Sequence, residues 1–221
     1  MSQGGGQLAD APAAAAVAED TMKAVLVRHG ETEHNANGIF QGYSPVPLSA
    51  RGRQQAALVA ARLVSIRPQV LYSSDLRRAQ ETAEIISQRL GMPVQLCEGL
   101  REWNIGTWIG KPNAAYLEHL QALGAHPVTH VPEGGESQLQ TQARMVAQMQ
   151  ELARRHAGET IVCVSHGTAI NLLVQHILGL DVMQTPAYSI GNTSVNIVRH
   201  QDGTWEVVTL NEMQHLETLA L

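Results

Sequence analysis

Residues 160–179 read TIVCVSHGTAINLLVQHILG. The run Thr160–Val164 is apolar on both of the faces that a strand presents, as in a strand from the middle of a covered sheet. Ser165, His166 and Gly167 break it. Thr168–Leu178 then reads as a nearly all-apolar helix, stopped by Gly179. A second stretch, KAVLVRHGETEHN over 23–35, repeats the arrangement: the apolar run Ala24–Val27 stops abruptly on Arg28, His29 and Gly30. Two buried strands that end on polar corners call for a reason beyond folding.

Outward from these, strand-like and helix-like runs alternate. Ser49 can cap a helix to about Val64, with Leu58, Ala61 and Leu63 inward and Pro68 beyond its end. Gln69–Tyr72 is a strand. Ser73 or Ser74 then caps a helix to Leu90, whose Leu76, Ala79, Ala83, Ile86 and Leu90 recur at three- and four-residue steps. Gly91 and Pro93 end that helix, and Val94–Cys97 is a short strand. A long connection from Glu98 to Glu136 is rich in Gly, Pro and Trp. A helix from about Gln138 to His156 follows, with Leu139, Ala143, Val146 and Leu152 inward. Val195–Arg199 and Trp205–Leu210 flank the turn QDG as a terminal hairpin. The alternation implies an α/β fold, a mostly parallel sheet of six strands covered by helices on both sides, with one antiparallel strand near the C-terminus.

Composition narrows the function classes. The 221 residues carry a formal charge of −5, and no basic run is long enough for a nucleic-acid stripe. No apolar segment reaches the ~18 residues of a membrane span. Cys97 and Cys163 lie in apolar runs and read as free thiols of a reducing compartment, so a cytoplasmic location is expected. Residues 1–20 are Gly- and Ala-rich, with little to bury, and are expected to form a disordered tail. Without a repeat or an internal linker, 21–221 is expected to be one domain.

In parallel sheets ligands bind beyond the carboxyl ends of the strands. There the chain places Arg28 and His29, then SSDLRRAQETA with Arg77 and Arg78, then LREWNIG with Arg101 and Glu102, and lastly VSHG with His166. Guanidinium groups offer planar forks matched to phosphate oxygens, imidazole is a nucleophile and proton carrier near neutral pH, and helix starts add partial positive charge. Glycine after the histidine would let backbone approach the ligand. The expected ligand is a phosphoryl group. Other phosphate chemistries lack their signatures: there is no G-x-x-x-x-G-K-[ST], no Cys with an Arg six residues on, and Ser165 lacks the preceding glycine of a G-x-S-x-G elbow. His126 and His130 read as solvated loop residues, not metal ligands.

The blocks VRHGETEHN, LSARGRQQA, YSSDLRRAQETA, LREWNIGTWIG, PEGGES and VSHG closely resemble the histidine phosphatase (phosphoglycerate-mutase-like) superfamily, from Lys23 to Leu210 in the expected order. The resemblance implies a three-layer α/β/α sandwich with a six-stranded mixed sheet. It implies that His29 is the phosphorylated nucleophile, that Arg28, Arg78 and His166 bind phosphoryl oxygens, and that Glu102 is the acid and base. Asn35, Gln41 and Gly42 would line the pocket, and Gly167 would contribute a backbone N–H. No metal and no cofactor is implied.

Between hydrolysis and transfer to another hydroxyl, the local charge favours hydrolysis. From Gly110 to Gly135 the only Lys or Arg is Lys111, and the C-terminal NEMQHLETLAL is acidic and apolar. The family's mutases carry a longer basic insertion and a C-terminal cover. The expected function is therefore hydrolysis of small phosphorylated metabolites, with a cofactor-dependent phosphoglycerate mutase as the alternative and an inactive binding or scaffold protein behind it. The expected partner is a small-molecule phosphate ester, without nucleic acid or membrane; a homo-oligomer is compatible with the sequence. Trp103, Trp108, Ile109, Tyr116, Ile39, Phe40 and Tyr43 are candidates to line an entrance for a partly apolar leaving group.

Overall fold

The computed structural model describes residues 20–183 and 188–219. The tail expected over residues 1–20 lies outside them, apart from Asp20. Six strands form one sheet: β1 (Met22–Arg28), β2 (Val70–Ser73), β3 (Val94–Leu96), β4 (Thr160–Ser165), β5 (Val195–Gln201) and β6 (Thr204–Glu212). Their order is β3-β2-β4-β1-β5-β6. The strands β1 to β4 run parallel, in a register that sets Arg28 beside Ser165. Strand β5 is antiparallel to both of its neighbours. The carboxyl ends of the four parallel strands therefore share one edge.

The helices are α1 (Glu33–Ala36), α2 (Ala50–Leu63), α3 (Arg77–Leu90), α4 (Asn113–Leu123), α5 (Gln138–Arg155) and α6 (Gly167–Ile177). Period-two alternation sorts the central strands into two cores. Val25, Val27, Leu71, Val162 and Val164 pack on Val59, Leu63, Ala79, Ala83 and Ile86 of α2 and α3. Met22, Ala24, Leu26, Ile161 and Cys163 pack on Met145, Met149 and Leu152 of α5 and on Ile170, Leu173 and Val174 of α6. The result is a three-layer α/β/α sandwich.

Four local expectations are corrected. On α2 the inward face is Gly52, Gln55, Ala56, Val59, Ala60 and Leu63, while Ala61 is exposed. The phase is hidden because Gln55 faces inward, where its Oε1 accepts the Glu31 N–H at 2.9 Å. On α5 the inward residues are Thr141, Met145, Met149 and Leu152, while Leu139 and Ala143 are exposed. Thr141 can face the core because its hydroxyl donates to the Ser137 carbonyl one turn back. The connection from Glu98 to Glu136 contains α4, which packs Tyr116 and Leu120 on Trp103 and Ile105 in a third, smaller core. Neither Ser73 nor Ser74 caps α3: its N-cap is Leu76, without a side-chain bond.

Candidate active site

The site begins where β1 leaves the sheet. The His29 N–H still donates to the Ser165 carbonyl at 3.0 Å, continuing the ladder, and the chain then turns over the sheet edge. Gly30 and Gly52 make that turn possible. A Cβ on Gly30 would lie 2.5 Å from the Gly52 carbonyl oxygen, and one on Gly52 would lie 2.0 Å from the Glu31 carbonyl oxygen. The close backbone approach expected of Gly30 is thus to the start of α2, and it presses the His29 loop against that helix.

His29 is 2 % exposed. Its Nδ1 lies 2.7 Å from the Gly30 carbonyl, and its Nε2 receives the Arg78 Nε–H at 3.1 Å. Guanidinium only donates, so Nε2 must be the accepting, unprotonated nitrogen, and Nδ1–H donates to Gly30. Burial, with Arg78 and Arg28 nearby, holds the imidazole pKa well below its ordinary value. The ring is therefore neutral, with its lone pair on Nε2 accepting from Arg78.

Two arginines share the cavity with this ring. Arg78, at the first turn of α3, is fully buried, and its fork is fixed by the Gly42 carbonyl at 3.0 Å. Gly42 has φ +46°, which turns that carbonyl inward. Arg28 donates from Nη1 to the Ile190 carbonyl at 2.5 Å, and its Nε has no partner among the described residues. His166 has its ring centroid 5.1 Å from that of His29 and its Nε2 2.8 Å from the Ser74 hydroxyl. Its Nδ1 is buried without a partner among the described residues.

Glu102 reaches the same edge from the loop after β3. Its Oε1 accepts the N–H groups of Trp103 (2.9 Å) and Ala169 (3.0 Å), and its Oε2 that of Thr168 (3.1 Å). The carboxylate thus rests on the free N–H groups at the start of α6, where the helix dipole favours negative charge. Arg144 braces the segment from behind, donating to the carbonyls of Gly99, Arg101 and Glu102 and to the Glu136 carboxylate.

Arg28, His29, Asn35, Gln41, Gly42, Arg78, Glu102 and Gly167 all line one cavity of about 360 Å³. His166 does not line it; the ring lies beneath the floor, fully buried. Arg77 and Arg101 are spent on ion pairs, with Glu81 at 3.0 Å and with Asp75, respectively. Glu31 and Thr32 fix the loop: Glu31 bonds Ser49, and Thr32 caps α1. Trp103, Ile39, Phe40, Ile105, Leu172 and Ile190 form the apolar part of the wall.

Residues 24–213 match the profile of the histidine phosphatase superfamily, branch 1. The chain belongs to this superfamily. A relative in Escherichia fergusonii, named probable phosphoglycerate mutase GpmB, is 34 % identical over 209 residues, which cover 90 % of this chain and 97 % of that protein. The solved mycobacterial glucosyl-3-phosphoglycerate phosphatase in complex with VO3 superposes with a TM-score of 0.77 at 32 % identity, covering 86 % of this chain and 98 % of the other. A phosphoserine phosphatase mutant from Entamoeba histolytica, in complex with phosphoserine, superposes with a TM-score of 0.79 at 30 % identity, covering 88 % and 99 %.

This histidine phosphatase fold also recruits residues that patterns did not single out. The Asn192 side chain donates to the His29 carbonyl at 3.0 Å, and the Thr193 N–H donates to the Arg28 carbonyl at 3.0 Å. Thr193 adopts φ +56°, a left-handed conformation that threonine rarely takes. The loop before β5 thereby satisfies the backbone that β1 exposes as it leaves the sheet. Its only sequence signal is the polar run GNTS ahead of an apolar strand. Ser74 is the other omission: its hydroxyl accepts the Leu76 N–H and meets His166 Nε2.

Proposed function

We propose that the protein is a phosphomonoesterase that works through a phosphohistidine on His29. The observation that supports this most directly is the geometry of that ring: neutral, Nδ1–H anchored to Gly30, and Nε2 presented as an acceptor to the buried Arg78 guanidinium, with Arg28 in the same cavity. In the first step Nε2 attacks phosphorus and the P–O bond to the leaving group breaks. A protonated Glu102 gives its proton to the departing oxygen. In the second step water attacks the phosphohistidine, the Glu102 carboxylate takes the water's proton, and the N–P bond breaks to release inorganic phosphate. Arg28 and Arg78 balance the phosphoryl charge, with His166 supporting the floor. Asn35, Gln41 and the Gly167 N–H complete the phosphoryl pocket. The steps use only protein groups and water.

A phosphoglycerate mutase is the second reading, because the curated relatives at 34 % identity carry that name. A mutase has to hold a strongly anionic bisphosphate. Among the described residues the cavity wall has no Lys or Arg beyond Arg28 and Arg78, and Lys111 is stacked over the Trp108 ring at 4.6 Å. Hydrolysis is favoured on that ground.

Quenching the enzyme with a labelled phosphate ester should trap acid-labile phosphate on the unmodified chain and none on His29→Ala. Labelling of the mutant would show another nucleophile. Interconversion of phosphoglycerate isomers faster than phosphate release would establish the mutase instead.

A further inference from the structure

A second cavity, of about 440 Å³, adjoins the first, and the two share Phe40, Trp103, Asn113, Gln138, Thr168 and Gln175 along their boundary. Its far side is Leu117 and Tyr116 of α4, Pro127 and Val128. Among the described residues it has no Lys, Arg, Asp or Glu in its wall; the titratable groups there are the Tyr116 hydroxyl and the His126 ring.

Outside the phosphoryl clamp, the cations of the surrounding loops and of α5 are already committed. Arg101 pairs with Asp75 and Glu98, Arg144 is held by three carbonyls and Glu136, and Lys111 lies on Trp108. Residues 1–19, 184–187 and 220–221 contain no Lys, Arg or His to add. A second anionic group on a substrate would therefore leave water without an uncommitted Lys or Arg to meet it.

Two polar atoms in these walls lack partners. Gln175 is 3 % exposed. Asn171 donates its amide to the Tyr188 carbonyl at 3.0 Å, which turns its Oδ1 toward Gln175 Nε2 at 3.2 Å. That fixes Gln175 Oε1 as an acceptor, and it has no hydrogen-bond partner among the described residues; nor has the buried Tyr116 hydroxyl. A buried acceptor left unpaired is costly, so a bound group that donates to it gains accordingly.

We infer that the second cavity is the leaving-group site, and that it selects phosphate esters of neutral, ring-bearing alcohols with a hydrogen-bond donor over esters that carry a second anionic group. This rests on the phosphomonoesterase reading. It sets the chain apart from neighbours whose names specify a carboxylate-bearing ester.

The test is binding to the full-length His29→Ala protein by calorimetry, which removes any effect of leaving-group reactivity. The probes are phenyl phosphate, indol-3-yl phosphate and 3-carboxyphenyl phosphate. Indolyl phosphate should bind about tenfold more tightly than phenyl phosphate, as expected for added apolar contact and one satisfied acceptor, and the carboxylate ester about tenfold more weakly. In the same background Gln175→Leu should abolish most of the indolyl advantage. Leu117→Lys, at a position 59 % exposed, should narrow the penalty on the carboxylate ester and serves if the buried variant does not fold. Equal or tighter binding of 3-carboxyphenyl phosphate would overturn the inference, as would a ranking that neither substitution moves. The unmodified chain is then assayed for turnover of the same esters. The expected ranking without any hydrolysis would sink the phosphatase reading and leave the leaving-group site standing; hydrolysis with the ranking reversed would do the opposite.

Discussion

Arg78 is the residue on which the state of the His29 ring depends. Burial lowers its pKa to about 10, which still leaves it cationic at neutral pH. Its Nε–H occupies the lone pair on His29 Nε2, so in the proposed mechanism substrate has to draw that N–H onto a phosphoryl oxygen as it binds. The planar fork is anchored on the carbonyls of Gly42 and Ser44, a geometry that a lysine ammonium lacks. Arg78→Lys is therefore expected to lose about 3 kcal/mol of transition-state stabilisation, on the order of a hundredfold in kcat, with a smaller change in KM. Steady-state kinetics on an aryl phosphate checks this, and a wild-type kcat in the lysine variant would show that charge alone suffices. Arg28 and His29 stand out in the sequence because polar side chains at the end of an apolar strand break a regular pattern, whereas Arg78, in the first turn of α3, is set apart from Arg77 only by the family resemblance. Asn192 does not stand out, since an asparagine in a polar loop is ordinary and its partner, the His29 carbonyl, leaves no mark on the sequence.

At the scale of elements, the site depends on how α2 meets the loop after β1. Gly52 in the first turn of α2 is where the two backbones touch, and a methyl group there would fall 2.0 Å from the Glu31 carbonyl oxygen. Alanine normally favours a helix over glycine by about 1 kcal/mol. Here the overlap is with backbone, which cannot rotate away, and overpacking of this kind costs about 1–3 kcal/mol. Gly52→Ala should lower the melting temperature by roughly 4–8 °C, taking about 2 kcal/mol and a chain of this size. It should also reduce kcat, because the displaced loop carries His29. A melting temperature at or above wild type would mean that the loop shifts freely. The sequence showed α2 clearly, through Ser49 and its apolar spacing, yet gave its inward face wrongly because Gln55 bonds the same loop. Helix α4 escaped notice because only Tyr116 and Leu120 are buried, too few to set up a periodic stripe, although Pro112 and Gly124 bracket it.

At the scale of the whole molecule, the alternation of strands and helices made the three layers legible, but not the cost of sealing imidazoles between them. His29 and His166 are both held well below the ordinary histidine pKa, by burial first and by Arg78 next. His215, lodged against Thr193 in the loop that supports β1, is lowered as well, chiefly by burial. In the unfolded chain each takes up a proton as pH falls through about 6.5, while in the folded chain it does not. Below that pH the unfolded state binds more protons, so stability falls on acidification, by at most about 1.4 kcal/mol per pH unit for each histidine. Above it these groups contribute no slope. Asp75 acts in a different window: its pKa is lowered mainly by the bond from Arg101, and the stability it adds is lost only as pH falls below the ordinary carboxylate range. Urea unfolding between pH 5 and pH 8 should therefore give a plateau above about pH 7 and a steep decline below 6.5, with His29→Ala reducing that slope by up to about 1.4 kcal/mol per unit. Inorganic phosphate, bound to the native clamp alone, should raise the whole curve by an amount that grows with its concentration. A flat profile across 5–8 would mean that these rings take up protons in the folded protein as readily as in the unfolded chain, and a protonated His29 has no lone pair on Nε2 with which to attack phosphorus.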